Sequence, residues 1–329
     1  MNTVSFIIPA YNSEKTIEKT ISSILNQDDS DIEFEIIVVD DGSTDNTGDI
    51  IRKYERTVRY IKTDNNGVAS ARNTGVKYAR GDYYIFVDSD DYVSQSLLSD
   101  MQKYIEIGAD LIKWSPILVD EDGNKINENS ENFFKKLINK KFKSDNEDIK
   151  NPNKEEAIFT NGEGGFNILY GTDPLMDCLW NYAISKNIFI PFPDGRYHED
   201  FAVMPLIILN SKKMCITEHY EYYYVQTEKS IMRGNSDEKE KEKLKDLLAN
   251  YDDLIEEIEG YDISEETYEN VKIFATNSLL VKLNDISDEN KEYFIKELKK
   301  RNVSNNLRSR NIKQFLKKIY MNIYINTHR

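Results

Sequence analysis

The sequence predicts an α/β protein: a mainly parallel sheet with flanking helices, followed by a C-terminal helical extension. Three observations carry this reading. The first ninety residues alternate between strand-like and helix-like apolar periods, acidic clusters stand where two of the strands end, and residues 236 to 329 keep apolar spacings of three and four. Val4-Ser5-Phe6-Ile7-Ile8 reads as the first strand, and Ser13 to Asn26 as a helix with Ser13 as N-cap. Glu35 to Val39 reads as a second strand that runs into Asp40-Asp41-Gly42-Ser43. Thr44 or Asp45 then caps a helix reaching about Tyr54. Val58 to Lys62, Val68 to Tyr78 and Tyr83 to Val87 complete the strand–helix–strand order. Such an order implies right-handed crossovers, and ligands bind beyond the carboxyl ends of the strands. Both acidic clusters fall there.

Later segments give weaker signals. Leu97 to Ile107 reads as a helix, Leu111 to Val119 as a strand, and residues 120 to 160 as a polar insertion with a short helix around Phe133-Phe134 and Leu137-Ile138. Gly162-Glu163-Gly164-Gly165 reads as a turn. Leu244, Leu247, Leu248, Tyr251, Leu254, Ile255 and Ile258 form one helical face.

Composition excludes several classes. The 329 residues carry a net charge of -15, which argues against a nucleic-acid footprint. Cys178 and Cys215 are the only cysteines, too few for a disulfide framework or a zinc cluster. No apolar run approaches the roughly 20 residues needed to span a bilayer. The chain enters its first strand without a charged region and long apolar stretch before it, so no signal peptide is expected and a cytoplasmic setting is.

Chemistry concentrates in Ile85-Phe86-Val87-Asp88-Ser89-Asp90-Asp91. Side chains two apart on an extended backbone point the same way, so Asp88 and Asp90 can converge. Convergent carboxylates repel unless a cation lies between them, and a hard divalent ion such as Mg2+ or Mn2+ suits oxygen ligands and phosphates. A solvated acidic turn is the alternative. Asp41 can accept from an imino N–H such as uracil N3–H, or serve as a cap and turn former. Arg72 can reach a phosphate or a nearby Asp. No G-x-G-x-x-G follows the first strand and no P-loop sequence occurs, so a backbone cradle for pyrophosphate is unsupported.

Four segments in order resemble the successive motifs of glycosyltransferase family 2, the inverting enzymes of GT-A (Rossmann-like) fold. They are Ser5 to Asn12, Ile36 to Asp45, Asn65 to Gly75 and Phe86 to Asp91. The resemblance implies a nucleotide-sugar donor, usually a UDP-sugar, bound with Mn2+ or Mg2+. It implies that Pro9, Ala10, Tyr11, Asn12 and Asp41 hold the uridine, with Asn65, Arg72 and Ser89 near the nucleotide. Asp90 would touch the metal, with Asp88 supporting the ribose or metal waters. A Glu–Asp pair supplies the base in this family, so Asp200 is the first choice and Glu199 the second; a helix cap is their alternative reading. The acceptor would be a hydroxyl of a glycan or lipid-linked molecule, as in polysaccharide and cell-envelope synthesis. Residues 1–95 would then bind the donor, 96–234 the acceptor, and 235–329 form the helical region.

Other residues keep two readings each. His198 and His219 are metal or phosphate contacts, or structural. Trp180, with Leu179, Asn181 and the Gly162 to Phe166 stretch, lines the acceptor side and stacks on a sugar ring, or is core. Gln226 stands where the family often has a basic residue, leaving Lys229, Ser230 or Arg233 for the diphosphate. Between Lys299 and Arg329 stand nine Lys or Arg and no Asp or Glu. After Arg308 this tail reads as a basic amphipathic helix, for peripheral membrane contact at the inner face, for a homo-oligomer, or for packing on its own domain. A receiver-type signalling domain and a catalytically inactive sugar-nucleotide-binding relative are the competing functional readings.

Overall fold

A computed structural model describes residues 2–126, 157–226, 236–283 and 285–306. Contacts divide the chain into two units: Met1–Arg196 with Val203–Ser230, and Tyr197–Ala202 with Ile231–Arg329.

The first unit is built on one mixed sheet. Its strands are β1 (Thr3–Ala10), β2 (Glu33–Asp41), β3 (Val58–Thr63), β4 (Tyr83–Phe86), β5 (Tyr92–Val93), β6 (Leu111–Val119), β7 (Ala157–Thr160), β8 (Tyr182–Ser185) and β9 (Met214–Val225). They lie in the order β3-β2-β1-β4-β8-β6-β9-β5, with β7 paired to β9. β1 runs parallel to β2 and β4, and β2 parallel to β3, as the sequence predicts. Beyond β4 the sheet is mixed: β8 is antiparallel to β4 and β6, and β6 is parallel to β9. The helices are α1 (Ile17–Leu25), α2 (Thr47–Arg52), α3 (Val68–Tyr78), α4 (Leu97–Glu106), α5 (Gly162–Leu169) and α6 (Glu199–Asn210). The partition into units falls within α6.

Both faces of β1 and β2 are buried, which explains their continuous apolar runs. Phe6, Ile8, Ile36 and Val38 pack with Ile17, Ile21 and Ile24 of α1. Each such side chain stabilises the fold by roughly 1.5–3 kcal/mol. Ile37 and Val39 face the other way, with Ala71 of α3. Gly75 lets α3 come close to β1, since a Cβ there would collide with the Ile7 side chain.

Strand order sets where a ligand can lie. The chain builds outward from β1 to β2 and β3, then returns to the opposite side of β1 for β4. Such a reversal, outside the carboxyl ends of β1 and β4, is where ligands bind in open α/β sheets. Pro9 and Ala10 close β1, Tyr11 and Asn12 follow it, and Asp88 to Asp91 follow β4.

Several local expectations need correction. Thr16, not Ser13, precedes α1; Ser13 instead offers its carbonyl to the amides of Thr16 and Ile17, closing a turn before the helix. Asn46 occupies the cap position of α2, and Asp45 acts one residue earlier by accepting from the Thr47 N–H at 3.0 Å. Gly162 to Gly165 form the first turn of α5, capped by Asn161, which accepts from the Gly164 N–H at 2.8 Å. Glycine is retained there because a Cβ on Gly162 would meet the Ile208 and Leu209 backbone, and one on Gly165 the Met214 sulfur. Close approach thus overrides glycine's low helix propensity.

The second unit contains helices α7 (Asp237–Glu257), α8 (Glu265–Lys282) and α9 (Asp288–Lys300). Ser236 and Ser264 cap α7 and α8 through their hydroxyls. The predicted face of α7 is buried at Leu244, Leu247, Leu248, Tyr251 and Leu254, with Ile258 just beyond it. Arg301 holds Asp252 with Nε at 2.8 Å and Nη2 at 2.7 Å. Asn250 donates to the carbonyls of Tyr197 and His198, binding that short segment to α7. Among the described residues no helix is long and apolar enough to cross a membrane. The helix read around Phe133 and the amphipathic tail after Arg308 lie outside the described residues.

Gly75→Val should lower the unfolding free energy by about 2 kcal/mol, the usual scale of overpacking against a rigid neighbour. Urea unfolding measures it; an unchanged midpoint would remove this account of how α3 meets β1.

Candidate active site

The ends of β1 and β2 are joined first. Ala10 pairs with Asp40 in register. Past the strand end, the Asn12 amide donates to Ser43 Oγ at 3.0 Å, and Asn12 Oδ1 accepts from the Thr44 N–H at 2.8 Å. Asn12 adopts a φ of 49°, a conformation Asn tolerates better than most residues. This turn leaves the Tyr11 ring exposed.

Asp40 and Asp41 point to different tasks. Asp40 is fully buried and accepts from the Ser43 N–H and the Tyr60 hydroxyl, at 2.8 and 2.7 Å. Asp41 accepts from the amides of Asn66 and Gly67, at 2.9 and 2.8 Å, and from Thr63 Oγ1 at 3.2 Å. An ionised carboxylate has about four acceptor positions, so three donors leave one open. Asp41 therefore orders the loop that presents Asn65, whose side chain is exposed. Gly42 permits that approach: its φ is +77°, and a Cβ would stand 2.9 Å from the Asn65 amide nitrogen.

The acidic end of β4 is braced from three sides. Arg72 donates to Asp88 Oδ1 at 2.8 Å, with side-chain exposures of 8% and 29%. The Asp88 amide donates to the Tyr222 hydroxyl at 3.1 Å, and that hydroxyl donates to Asp91 Oδ2 at 2.7 Å. The Val225 amide fills Asp91 Oδ1 at 2.7 Å. Ser89 meets Ser13 through their hydroxyls at 2.7 Å, and Thr20 Oγ1 donates to the carbonyls of Ser89 and Asp91. Asp90 stands at the rim. Its side chain reaches solvent, yet partial burial, and then the charge of Asp88, push its carboxyl up to about 6. Burial, then Asp88 and Asp90, raise Asp91 well above the carboxylate range.

Pro9 to Asn12, Asp41, Asn65, Arg72, Asp88, Ser89 and Asp90 thus all belong to one unit, on the ends of β1 and β2, the loops that follow β1, β3 and β4, and helix α3. Sequence reasoning missed Asp91 and Tyr222. Their signal was the third carboxylate of the acidic run and the tyrosines of β9.

The remaining expected residues make contacts of their own. Trp180 is core: it is 7% exposed and stacks on Tyr222 and Tyr224, with ring centroids 4.7 and 5.1 Å away. It braces the tyrosine strand and is not available to a sugar. Phe166 is fully buried as well. His219 lies beside Asp100 and Glu221, none of them at the acidic strand end. His198 sits in the second unit with φ 59°; burial, then the charges of Lys282 and Lys243, lower its pKa to about 4. The two lysine charges beside it disfavour a protonated imidazole there. Glu199 and Asp200 open α6, where acidic groups favour the helix N-terminus, and Asp200 Oδ1 accepts from the Phe201 amide at 2.9 Å. Lys229, Ser230 and Arg233 lie outside the described residues.

The family model described as glycosyl transferase family 2 matches residues 5–162. The glycosyltransferase GlyG of Streptococcus pneumoniae is 30% identical over 242 residues, which are 71% of this chain and 74% of that protein. The chain belongs to glycosyl transferase family 2. Another relative is TarS of Staphylococcus aureus, a poly(ribitol-phosphate) β-N-acetylglucosaminyltransferase. It is 42% identical over 106 residues, 31% of this chain, and the chain spans only 18% of TarS. A crystal structure of TarS residues 1–349 with UDP-GlcNAc superposes with a TM-score of 0.69 at 22% identity, covering 94% of this chain and 82% of that one. This likeness establishes the fold. Family membership disposes of the receiver reading, which also needs the acidic pair on the first strand; here it ends β2.

Arg72→Met should cost about 2 kcal/mol, because it leaves Asp88 charged and unpaired beside Asp90. Adding Asp88→Asn should return part of that loss. A double-mutant cycle by chemical denaturation tests it, and strictly additive losses would mean that the pair contributes nothing.

Proposed function

We propose that this family 2 chain is an inverting glycosyltransferase. It moves a hexosyl or N-acetylhexosaminyl group from a UDP-sugar to a hydroxyl of a glycan or lipid-linked acceptor. One observation carries the reading: the braced Asp88, with Asp90 two residues on, follows β4 at the switch point between β1 and β4. TarS, by name a poly(ribitol-phosphate) β-N-acetylglucosaminyltransferase and solved with UDP-GlcNAc, supports the donor class.

Asp88 and Asp90 fit a hard divalent ion, Mn2+ or Mg2+. They offer oxygen only, and among the described residues Arg72 occupies a single oxygen of Asp88. After burial, the charge of Asp88 adds to the rise of the Asp90 carboxyl, a repulsion that a cation relieves. Such an ion supplies positive charge against a diphosphate. Around it, Arg72 and Tyr222 keep Asp88 in place, and Asp41 holds the Asn65 loop against the base. Uridine would lie along Pro9 to Asn12. On the acceptor side the family resemblance assigns the base to Asp200, then Glu199. That carboxylate takes the acceptor hydroxyl proton as the oxygen bonds to the anomeric carbon and the bond to the UDP oxygen breaks. Attack opposite the leaving group inverts the centre.

Titration calorimetry of UDP with Mn2+ should show binding that Asp90→Ala abolishes; unchanged affinity would remove the metal role. Asp200→Asn should keep UDP binding and lose at least about 100-fold in transfer, the scale of a general base. Full turnover in that variant would move the base elsewhere. UDP binding without transfer from any of a panel of UDP-sugars would favour the inactive relative.

Acidity gives a separate check. Since Asp90 titrates near 6, Mn2+-dependent UDP affinity should fall as pH drops from 7.5 to 5.5. The metal-free protein should behave in the opposite sense. A carboxyl raised from 3.8 to about 6 contributes stability at low pH that is lost as pH rises through 6. Asp90→Asn should therefore melt above wild type at pH 7.5, with the difference gone near pH 4. A constant difference across that range would contradict the assignment.

A further inference from the structure

Strand β9 carries a second polar cluster, on its side away from Tyr222. Thr217, His219 and Glu221 are two apart and share that side. Helix α4 contributes Asp100 and Tyr104, four apart on one helical face. Together with Trp114 of β6 these residues line one small cavity within the first unit. His219 Nδ1 lies 3.6 Å from Asp100 Oδ2 and 3.8 Å from Glu221 Oε1, and one potential ligand atom from each of the three lies within 4.8 Å of the others. Glu221 is 2% exposed and approaches Asp100 carboxyl to carboxyl. Two carboxylates brought together need a proton or a cation between them.

A second observation points to a ligand. The Trp114 side chain is 1% exposed and lines the same cavity, yet its indole N–H has no hydrogen-bond partner among the described residues. His219 Nε2 is also buried and without one. Buried donors of this kind normally find partners. An ion at the centre would take the lone pair of His219 Nδ1, the nitrogen that faces both carboxylates. It would also draw a carboxylate oxygen within reach of the indole, which lines the same small space. Metal–ligand bonds of about 2.0–2.2 Å set ligand atoms roughly 3–4 Å apart, close to the spacing here. Ser94 Oγ donates to Glu221 Oε2 and Ser96 Oγ lies 3.5 Å from it, the outer support that ligating carboxylates usually have. Side-chain exposures of 34% for Asp100 and 22% for His219 leave a way in.

We propose that Asp100, His219 and Glu221 form a second divalent-cation site, separate from Asp88 and Asp90, which clamps β9 to α4. One imidazole with two carboxylates suits Zn2+ or Mn2+ better than Mg2+ or Ca2+. The clamp acts on the strand that carries Tyr222, and so supports the acidic end of β4 from behind.

The test uses Zn2+ alone, with metal content counted after equilibrium dialysis of the full chain. An Asp88→Asn, Asp90→Asn variant should retain one equivalent, and adding His219→Ala should remove it. Zn2+ should raise the melting temperature of the double variant and leave the triple variant unmoved. Should the double variant fail to fold, wild type should hold one equivalent more than His219→Ala, and the near-isosteric Glu221→Gln should match His219→Ala. Co2+ in place of Zn2+ should give a visible absorption band that His219→Ala abolishes. The absence of any retained ion, with Zn2+ or with Mn2+, would show that the carboxyls share only a proton. Retention undiminished by His219→Ala and Glu221→Gln would place the ion elsewhere. Either result overturns the proposal.

Discussion

The candidate site depends on the hydroxyl of Tyr222. It accepts the amide of Asp88 and donates to Asp91, so one oxygen fixes both ends of a four-residue acidic turn. Without that link, three neighbouring carboxylates would repel and splay the loop. The tyrosine can serve because its ring is immobilised: it is fully buried and stacks on Trp180. Burial thus gives the site rigidity, and the polar tip gives it direction.

Arg72 complements this from the other side. Its guanidinium lies 5.9 Å from the Phe192 ring and reaches Asp88 from α3. Asn73, the next residue, donates to the Phe192 carbonyl and accepts from the Phe192 amide, fixing the ring's own segment. Asp41 performs the matching task for the loop at Asn66 and Gly67. In both cases an ionised side chain is spent on positioning backbone or another charge. A family pattern assigns such residues to the ligand; the geometry shows the scaffolding contacts they make first.

Much of the first half was legible because its signals are local. Apolar runs in β1, β2 and β4 and the apolar spacing of α1 reflect burial that each element requires on its own. Leu111 to Val119 was bounded correctly for the same reason. The errors came where a distant partner decides. Gly162 to Gly165 look like a turn until Ile208 and Met214 are seen to exclude any side chain. Trp180 looks like a sugar platform until β9 covers it. The mixed half of the sheet left no short-range mark either, since β8 inserts between β4 and β6 from far along the chain. Asp91 was read only as part of a motif, because its partner is 131 residues away.

That separation has a kinetic side. Strands β1 to β4 can pair through short crossovers, whereas the Asp91–Tyr222 bond must close a loop spanning most of the unit. Closure entropy grows with loop length and must be met before the contact rewards it. The nascent chain would therefore acquire the parallel part of its sheet early and its ordered acidic turn late, only once the segment through Val225 has been synthesised and has docked. Competence for binding then arrives with one of the last strands to fold, and partly assembled chains would carry the motif without the site.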